Sequence, residues 1–451
     1  MNNFNDYLRI TNYDFSEIVI GDKIVVKFKI KSSITPYDFL TIFSHLKGER
    51  FAIKTPNKKG VMIGIGHEYT WNLDSNDFLT NYDNTSILEE FQSLVNQTTD
   101  VEIDKLSDNY FGIYGGVSNG QNKKYQEWID FSDTMFFIPS ILAVFLDEFI
   151  EFTLFFKLKK NQDFISVWKE KTEFLLKLDD FSQIELEDPI IEKVREIYPD
   201  VWQENIRLSL EEINQGGFKR ISLSRKNQLL LEKNMYLAAV VKYFMNKNLY
   251  FIAFESRKSI FITSNPLISY TKENKDIYSY IYIQKENLFN GVKYIDFNEI
   301  DLEQEYISKM KSITKLNFDS YKDKKLVGRN IDIYSVFKTS SDDNIKSLKI
   351  LSLLYPMDII KGYPYEKTKL FLEEKENLGY GFWYSPVGYI NSDLDANFYT
   401  CGNMMVSFEN IITMFTTIMV DEHYNYDAII NNSNLLVEKN LRLFKKNKEE
   451  I

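Results

Sequence analysis

At 451 residues, with 44% hydrophobic and 15% aromatic content, the chain can bury a large core, which excludes wholesale disorder. Its 54 Lys and Arg against 65 Asp and Glu leave a net charge of −11 with no long basic block, which disfavours sequence-independent binding to nucleic acid or an anionic membrane. The single cysteine, Cys401, excludes an internal disulfide framework and a cysteine-based zinc site, and three histidines (His45, His67, His423) are too few for a multi-histidine metal centre.

The start, Met1-Asn2-Asn3-Phe4-Asn5-Asp6, lacks the basic and then apolar pattern of a secretory signal, so the expectation is a soluble cytoplasmic protein. Ile18-Val19-Ile20, a turn at Gly21-Asp22 and the run Ile24 to Ile30 read as a β-hairpin. Arg50 to Lys54, Val61 to Gly66 and Tyr110 to Gly116 read as further strands. The most membrane-like run, Phe136 to Phe156, is broken by Pro139, Asp147, Glu148 and Glu151. Each charge at a helix centre costs roughly 2.5–3.5 kcal/mol on insertion, so no transmembrane span is expected.

Phe164 to Leu178 and Pro189 to Tyr198 read as helices. Pro199 opens the best-defined one, with Trp202, Ile206, Leu210 and Ile213 on one face, Glu204, Arg207, Glu211 and Glu212 on the other, and a stop at Gly216-Gly217. A strand with period-two alternation follows at Arg220 to Arg225. Met235 to Asn246 returns to helix, Tyr250 to Phe254 and Ser259 to Thr263 to strand, and Asp301 to Ile313 and Asp343 to Leu354 to helix. Gly381 to Gly388 reads as a rigid aromatic strand closed by Pro386 and Gly388. Strands and helices come in clusters without strict alternation, which favours an α+β fold with antiparallel sheets.

Four short segments carry little. Gly116-Val117-Ser118-Asn119-Gly120 has the spacing of a nucleophile elbow, but a polar, turn-like Gln121-Asn122-Lys123-Lys124 follows where a helix is required. Gly64-Ile65-Gly66 lacks the third glycine of a dinucleotide loop. His67 beside Glu68 reads as an ordinary strand-end residue, and Lys445 to Glu450 as a solvated helix end.

The segment from Trp202 to Arg225 is different in kind. Trp202, Ile206, the double glycine and then Ile221-Ser222-Leu223-Ser224-Arg225 are joined by Phe111-Gly112, Gly115-Gly116, Trp128-Ile129-Asp130-Phe131 and Phe137-Ile138-Pro139 upstream. Downstream come Phe261 to Pro266, Tyr355-Pro356-Met357-Asp358 and Gly381 to Gly388. In their order and spacing these segments resemble the chorismate-utilising enzymes, above all isochorismate synthase. The resemblance implies one large α+β domain over 1–451, of two stacked antiparallel β-sheets flanked by helices, with a divergent half at 1–198 and a site-forming half at 199–451.

It also implies where the site lies. The position of the family's water-activating lysine is Arg220, a residue that stays protonated at physiological pH and cannot act as a general base. Lys219 is adjacent but points to the opposite face of a strand, and substitutes only if a bulge turns it. Leu267 stands where the family has its acid, Tyr355 where it has a histidine, and Asn403 where an arginine grips the substrate carboxylate. Gly362, Tyr384 and Gly388 match substrate-site positions. Mg²⁺ is the family's cofactor, and a hard cation needs oxygen ligands. Glu305 and Glu376 match ligand positions, whereas Ala428 and Asn431 replace two acids.

The expectation is therefore an isochorismate synthase-like protein that has lost catalysis and binds chorismate, a related small carboxylate or a protein partner, with no nucleic acid and no membrane. The alternative is an active Mg²⁺-dependent isochorismate synthase serving menaquinone or siderophore supply, with Lys219 as base and Glu305 on the metal.

Overall fold

The computed structural model describes residues 2–73, 86–119, 122–178, 186, 189–287, 299–327, 330–342, 362–376, 378–442 and 444–446. Its spine is the strand Thr134–Phe145, a near-continuous apolar run in which only Ser140 escapes full burial. A strand apolar on both faces must lie between two packed layers, and this one joins two sheets. One edge pairs along its whole length with Val61–Leu73. The other divides between Gly112–Val117 and Ile150–Lys157. Pro139, with no N–H to donate, falls in the gap between those two partners.

From the first edge one sheet runs through Arg50–Lys54, Phe251–Ser256, Ser259–Ser264, Met404–Phe408 and Ile411–Asp421 to Arg220–Leu231. From Gly112–Val117 the second runs through Pro386–Asn391, Ala396–Thr400, Leu267–Glu273, Asp276–Asn287 and Asn330–Ser340 to Asp319–Val327. These pairings are antiparallel. Parallel contacts occur where Lys23–Ile30 meets Thr98–Glu102 and Lys445–Lys446 meets Ile190–Ile197.

Between the sheets lies an aromatic core, with Phe51, Phe254, Phe261 and Phe415 from the first and Tyr114, Tyr280, Tyr389 and Tyr399 from the second. Phe51 stacks on Tyr114 at 4.7 Å, tying one sheet to the other. Helices cover the outer faces. Pro199–Asn214, Tyr365–Lys375 and Tyr426–Leu441 share one apolar cluster with Ile221, Leu223 and Val420. Among the described residues no helix is long and apolar enough to cross a membrane.

This is the expected α+β architecture, and the strands at Arg50–Lys54 and Val61–Leu73 and the helix Pro199–Asn214 form where the pattern predicts. Four local expectations are corrected. The hairpin at 18–30 does not form, because Lys23–Ile30 has both edges taken by Thr98–Glu102 and Ile150–Lys157. The segment 189–198 is the strand Ile190–Ile197, whose apolar residues at 190, 194 and 197 mimic a helical stripe. Pairing with Arg220–Leu231 overrides that local pattern. Residues 164–178 form two short helices, Phe164–Thr172 and Phe174–Lys177. The aromatic strand begins only at Pro386, since Gly381–Tyr384 is a turn with positive φ at both ends. The helix expected at 343–354 lies outside the described residues.

Gly388 sits between Gly115 and Phe398 of the neighbouring strands. A Cβ there would stand 1.9 Å from the Asn397 carbonyl oxygen, a backbone atom that cannot swing aside. Gly388→Ala is expected to cost about 3 kcal/mol of stability, measured as an earlier urea midpoint at unchanged slope.

Candidate functional site

The helix Pro199–Asn214 ends in a left-handed cap. Gly216 has φ +74°, its N–H reaches the Ile213 carbonyl, and Gly217 N–H reaches that of Glu212 at 2.8 Å. Such a cap turns the chain sharply and delivers it into the strand Arg220–Leu231. Ile221 and Leu223 pack outward with Trp202, Ile206 and Ile429. Alternation then puts Arg220, Ser222, Ser224 and Lys226 on the inner face. The neighbouring strand Ile411–Asp421 is in unbroken register, with Asp421 opposite Arg220 and Thr417 opposite Ser224. The result is a polar floor inside an otherwise aromatic core.

Arg220 is 5% exposed. Burial lowers its pKa to about 10, against the pull of Asp421 and Tyr363, so it remains a cation at neutral pH. Lys219 is exposed. Its N–H donates to the Tyr363 carbonyl and its ammonium lies 5.6 Å from the Tyr363 ring centroid. With no bulge between Arg220 and Leu230, nothing in the strand turns Lys219 inward.

An aromatic wall stands over this floor. Trp383 donates its indole N–H to Thr417 Oγ1 at 2.6 Å, and Thr417 in turn meets the Ser224 hydroxyl at 3.2 Å. Tyr380 stacks on Trp383 at 4.7 Å, and Tyr384 packs against it at a tilt at the same distance. The turn is braced from the other half of the chain. Asn119 Nδ2 donates to the carbonyls of Gly381 and Trp383, and Trp128 Nε1 to that of Gly379. The segment Gly116 to Asn119 is thus part of a clamp, with Ser118 fully buried and its N–H on the Asp133 carbonyl.

Residues 21–280 match a family model described as chorismate binding enzyme, which is more than half of the chain. The chain belongs to the chorismate-binding enzyme family. It is 20% identical over 379 residues to isochorismate synthase MenF of Bacillus subtilis, covering 78% of each chain. The fold is similar to that of MenF, the menaquinone-specific isochorismate synthase from Escherichia coli, with a TM-score of 0.69, 12% identity and 98% of each chain covered. It is also similar to anthranilate synthase component I from Streptococcus pneumoniae TIGR4, with a TM-score of 0.59, 13% identity and coverage of 86% of this chain and 93% of the other.

Among the positions inferred from the family, the fold brings together those on the floor and its rim. Gly362 lies in the short strand Gly362–Tyr363, paired to Ile221 and Arg220, and its missing Cβ lets Thr368 pack against it. Tyr384 donates its N–H to the Cys401 carbonyl and its ring lies against Gly402. Asn403, the next residue, is exposed, and its carbonyl accepts from Thr263 Oγ1. Leu267 is half-buried and Ile268 joins the core between the sheets. Tyr355 lies outside the described residues.

Glu376 does something the sequence did not suggest. The edge of Arg220–Leu231 between Gly362–Tyr363 and Ile190–Ile197 leaves the Ser224 N–H without a strand partner among the described residues. Glu376 Oε1 accepts it at 3.0 Å, while Oε2 accepts the Tyr380 hydroxyl. Burial outweighs both hydrogen bonds and raises the Glu376 pKa to about 7. Glu305 lies in the helix Glu299–Thr314, whose Tyr306 and Met310 pack with Ile277 and Phe337. The Glu305 side chain lies outside the described residues. Ala428 and Asn431 sit on Tyr426–Leu441 without carboxylates.

A Mg²⁺ site needs several free oxygen donors and room for water. Both Glu376 oxygens are engaged, and the described residues contain no group of three or more His, Cys, Asp or Glu able to hold a metal ion. The described residues do not fit the ion.

Because the folded-state pKa of Glu376 lies above its ordinary 4.5, the protonated form is the stabilising one. Its contribution is complete below pH 4.5 and is lost as pH rises through about 7. Glu376→Gln is expected to flatten the fall in unfolding free energy across that window, by roughly 3 kcal/mol, in urea titrations between pH 5 and 8.

Proposed function

We propose that this protein binds chorismate or a related small carboxylate within the chorismate-binding fold and does not catalyse isochorismate synthesis. The observation that carries the reading is Arg220. At the position where the resemblance expects a water-activating lysine stands a buried cation whose pKa, about 10, leaves it protonated at neutral pH. A group that is almost never deprotonated cannot take a proton from water. Leu267, at the position of the acid, has no proton to give. Asn403 in place of an arginine forgoes the charged two-pronged hydrogen bond.

Retained binding is favoured by the floor itself. Arg220, Ser222 and Ser224 are buried and Thr417 is half-buried. A buried guanidinium beside hydroxyl groups is the chemical complement of a small carboxylate. Tyr380 stacked on Trp383 offers the flat wall that a ring requires, with Tyr384 tilted beside it. In this reading the half from 199 to 451 forms the site, and the half from 1 to 198 braces it through Asn119 and Trp128.

Purified protein incubated with chorismate and Mg²⁺ is expected to return chorismate unchanged, with no isochorismate, salicylate or pyruvate on chromatography. Chorismate alone should raise the unfolding temperature, since a ligand at a hundredfold its Kd adds about 2.7 kcal/mol. Turnover that vanishes in Lys219→Ala would overturn this reading in favour of an active isochorismate synthase with a rearranged site. An unchanged unfolding temperature would remove the ligand.

A further inference from the structure

The floor holds one buried charged group that catalytic loss does not account for. Asp421 ends the strand Ile411–Asp421 and is 5% exposed. Its neighbour Val420 packs outward with Trp202 and Ile429, so Asp421 faces inward beside Arg220. Asp421 Oδ1 accepts the His423 N–H at 2.8 Å. Asp421 Oδ2 is buried and has no hydrogen-bond partner among the described residues.

Buried polar atoms in native folds are nearly always hydrogen-bonded, and each exception requires an explanation. A carboxylate oxygen is among the costlier atoms to leave unsatisfied. Burial raises the Asp421 pKa above the ordinary carboxylate value, against the smaller downward pull of the His423 N–H and the charge of Arg220. An ionised carboxylate only accepts, and it repels a second carboxylate brought against it.

We propose that Asp421 Oδ2 accepts a hydrogen bond from a hydroxyl or amino group on the ring of the bound small carboxylate. Asp421 therefore selects ring carboxylates that carry such a donor over those that do not. The inference rests on the small-carboxylate reading above and adds to it the chemistry of the ligand's second functional group.

Calorimetric titration with benzoate and with its 3- and 4-hydroxy and 3- and 4-amino derivatives tests it. At least one hydroxyl- or amino-bearing ring is expected to bind about tenfold or more tighter than benzoate, as a charge-assisted hydrogen bond allows. The hydroxyl and amino arms identify which donor is used. Asp421→Ala should erase that preference while leaving benzoate binding in place, which also reports that the variant is folded. Asp421→Asn, which keeps a neutral acceptor of the same shape, should restore part of it. Equal binding of all the rings by the wild type, or a preference unchanged in Asp421→Ala, would overturn the role of Asp421 and leave the small-carboxylate reading standing. Failure of every ring and of chorismate to bind would sink both together.

Discussion

The unbroken antiparallel register between Arg220–Leu231 and Ile411–Asp421 is the constraint on which the site depends. A period of two means that this single register decides which residues enter the core and which meet the helices. It sends Arg220, Ser222 and Ser224 inward, sets Asp421 against Arg220 and leaves Lys219 in solvent. A slip by one residue would bury Ile221 and Leu223 on the polar side and expose the guanidinium to the outer helices. The apolar cluster of Trp202, Ile206, Leu372 and Ile429 on that outer face holds the register in place.

The second determinant is the way the aromatic turn is held. Residues 379–384 contribute rings to the core, but their backbone is irregular, with positive φ at Gly379, Gly381 and Tyr384. Buried irregular backbone needs partners for its carbonyls. Asn119 and Trp128 supply them from far away in the chain. Glu376 plays the converse part, using a side chain to satisfy an edge N–H that no strand reaches. Its proton affinity is the consequence of that burial. A residue that resembled a metal ligand by position is therefore tied to the strand by one oxygen and to Tyr380 of the aromatic turn by the other.

Much of the scaffold is legible in the sequence. The capped helix Pro199–Asn214, the alternating strand after it and the Phe-Ile-Thr-Ser-Asn-Pro turn carry local signals, because caps and alternation are written in neighbouring residues. The strand Ile190–Ile197 was not legible, since its apolar spacing satisfies a helix as well and only pairing with a strand some thirty residues on selects the extended form. Asn119 as a clamp had a visible signal, a Gly-flanked polar residue after a buried strand, but its target lies more than 260 residues away. Asp421 carried no signal at all, because an aspartate at the end of a strand is ordinarily solvated.

The sequence by itself determined the class of fold, the family and the chemical character of each position, since side-chain chemistry belongs to the residue wherever it is placed. Arginine cannot be a neutral-pH base and leucine cannot be an acid, whatever surrounds them. Only the tertiary structure decided how those groups meet. It made Glu376 a buried strand partner, turned Lys219 away and left Asp421 Oδ2 buried beside a cation. Burial, register and long-range hydrogen bonds are properties of pairs far apart in the chain, and no local pattern encodes them.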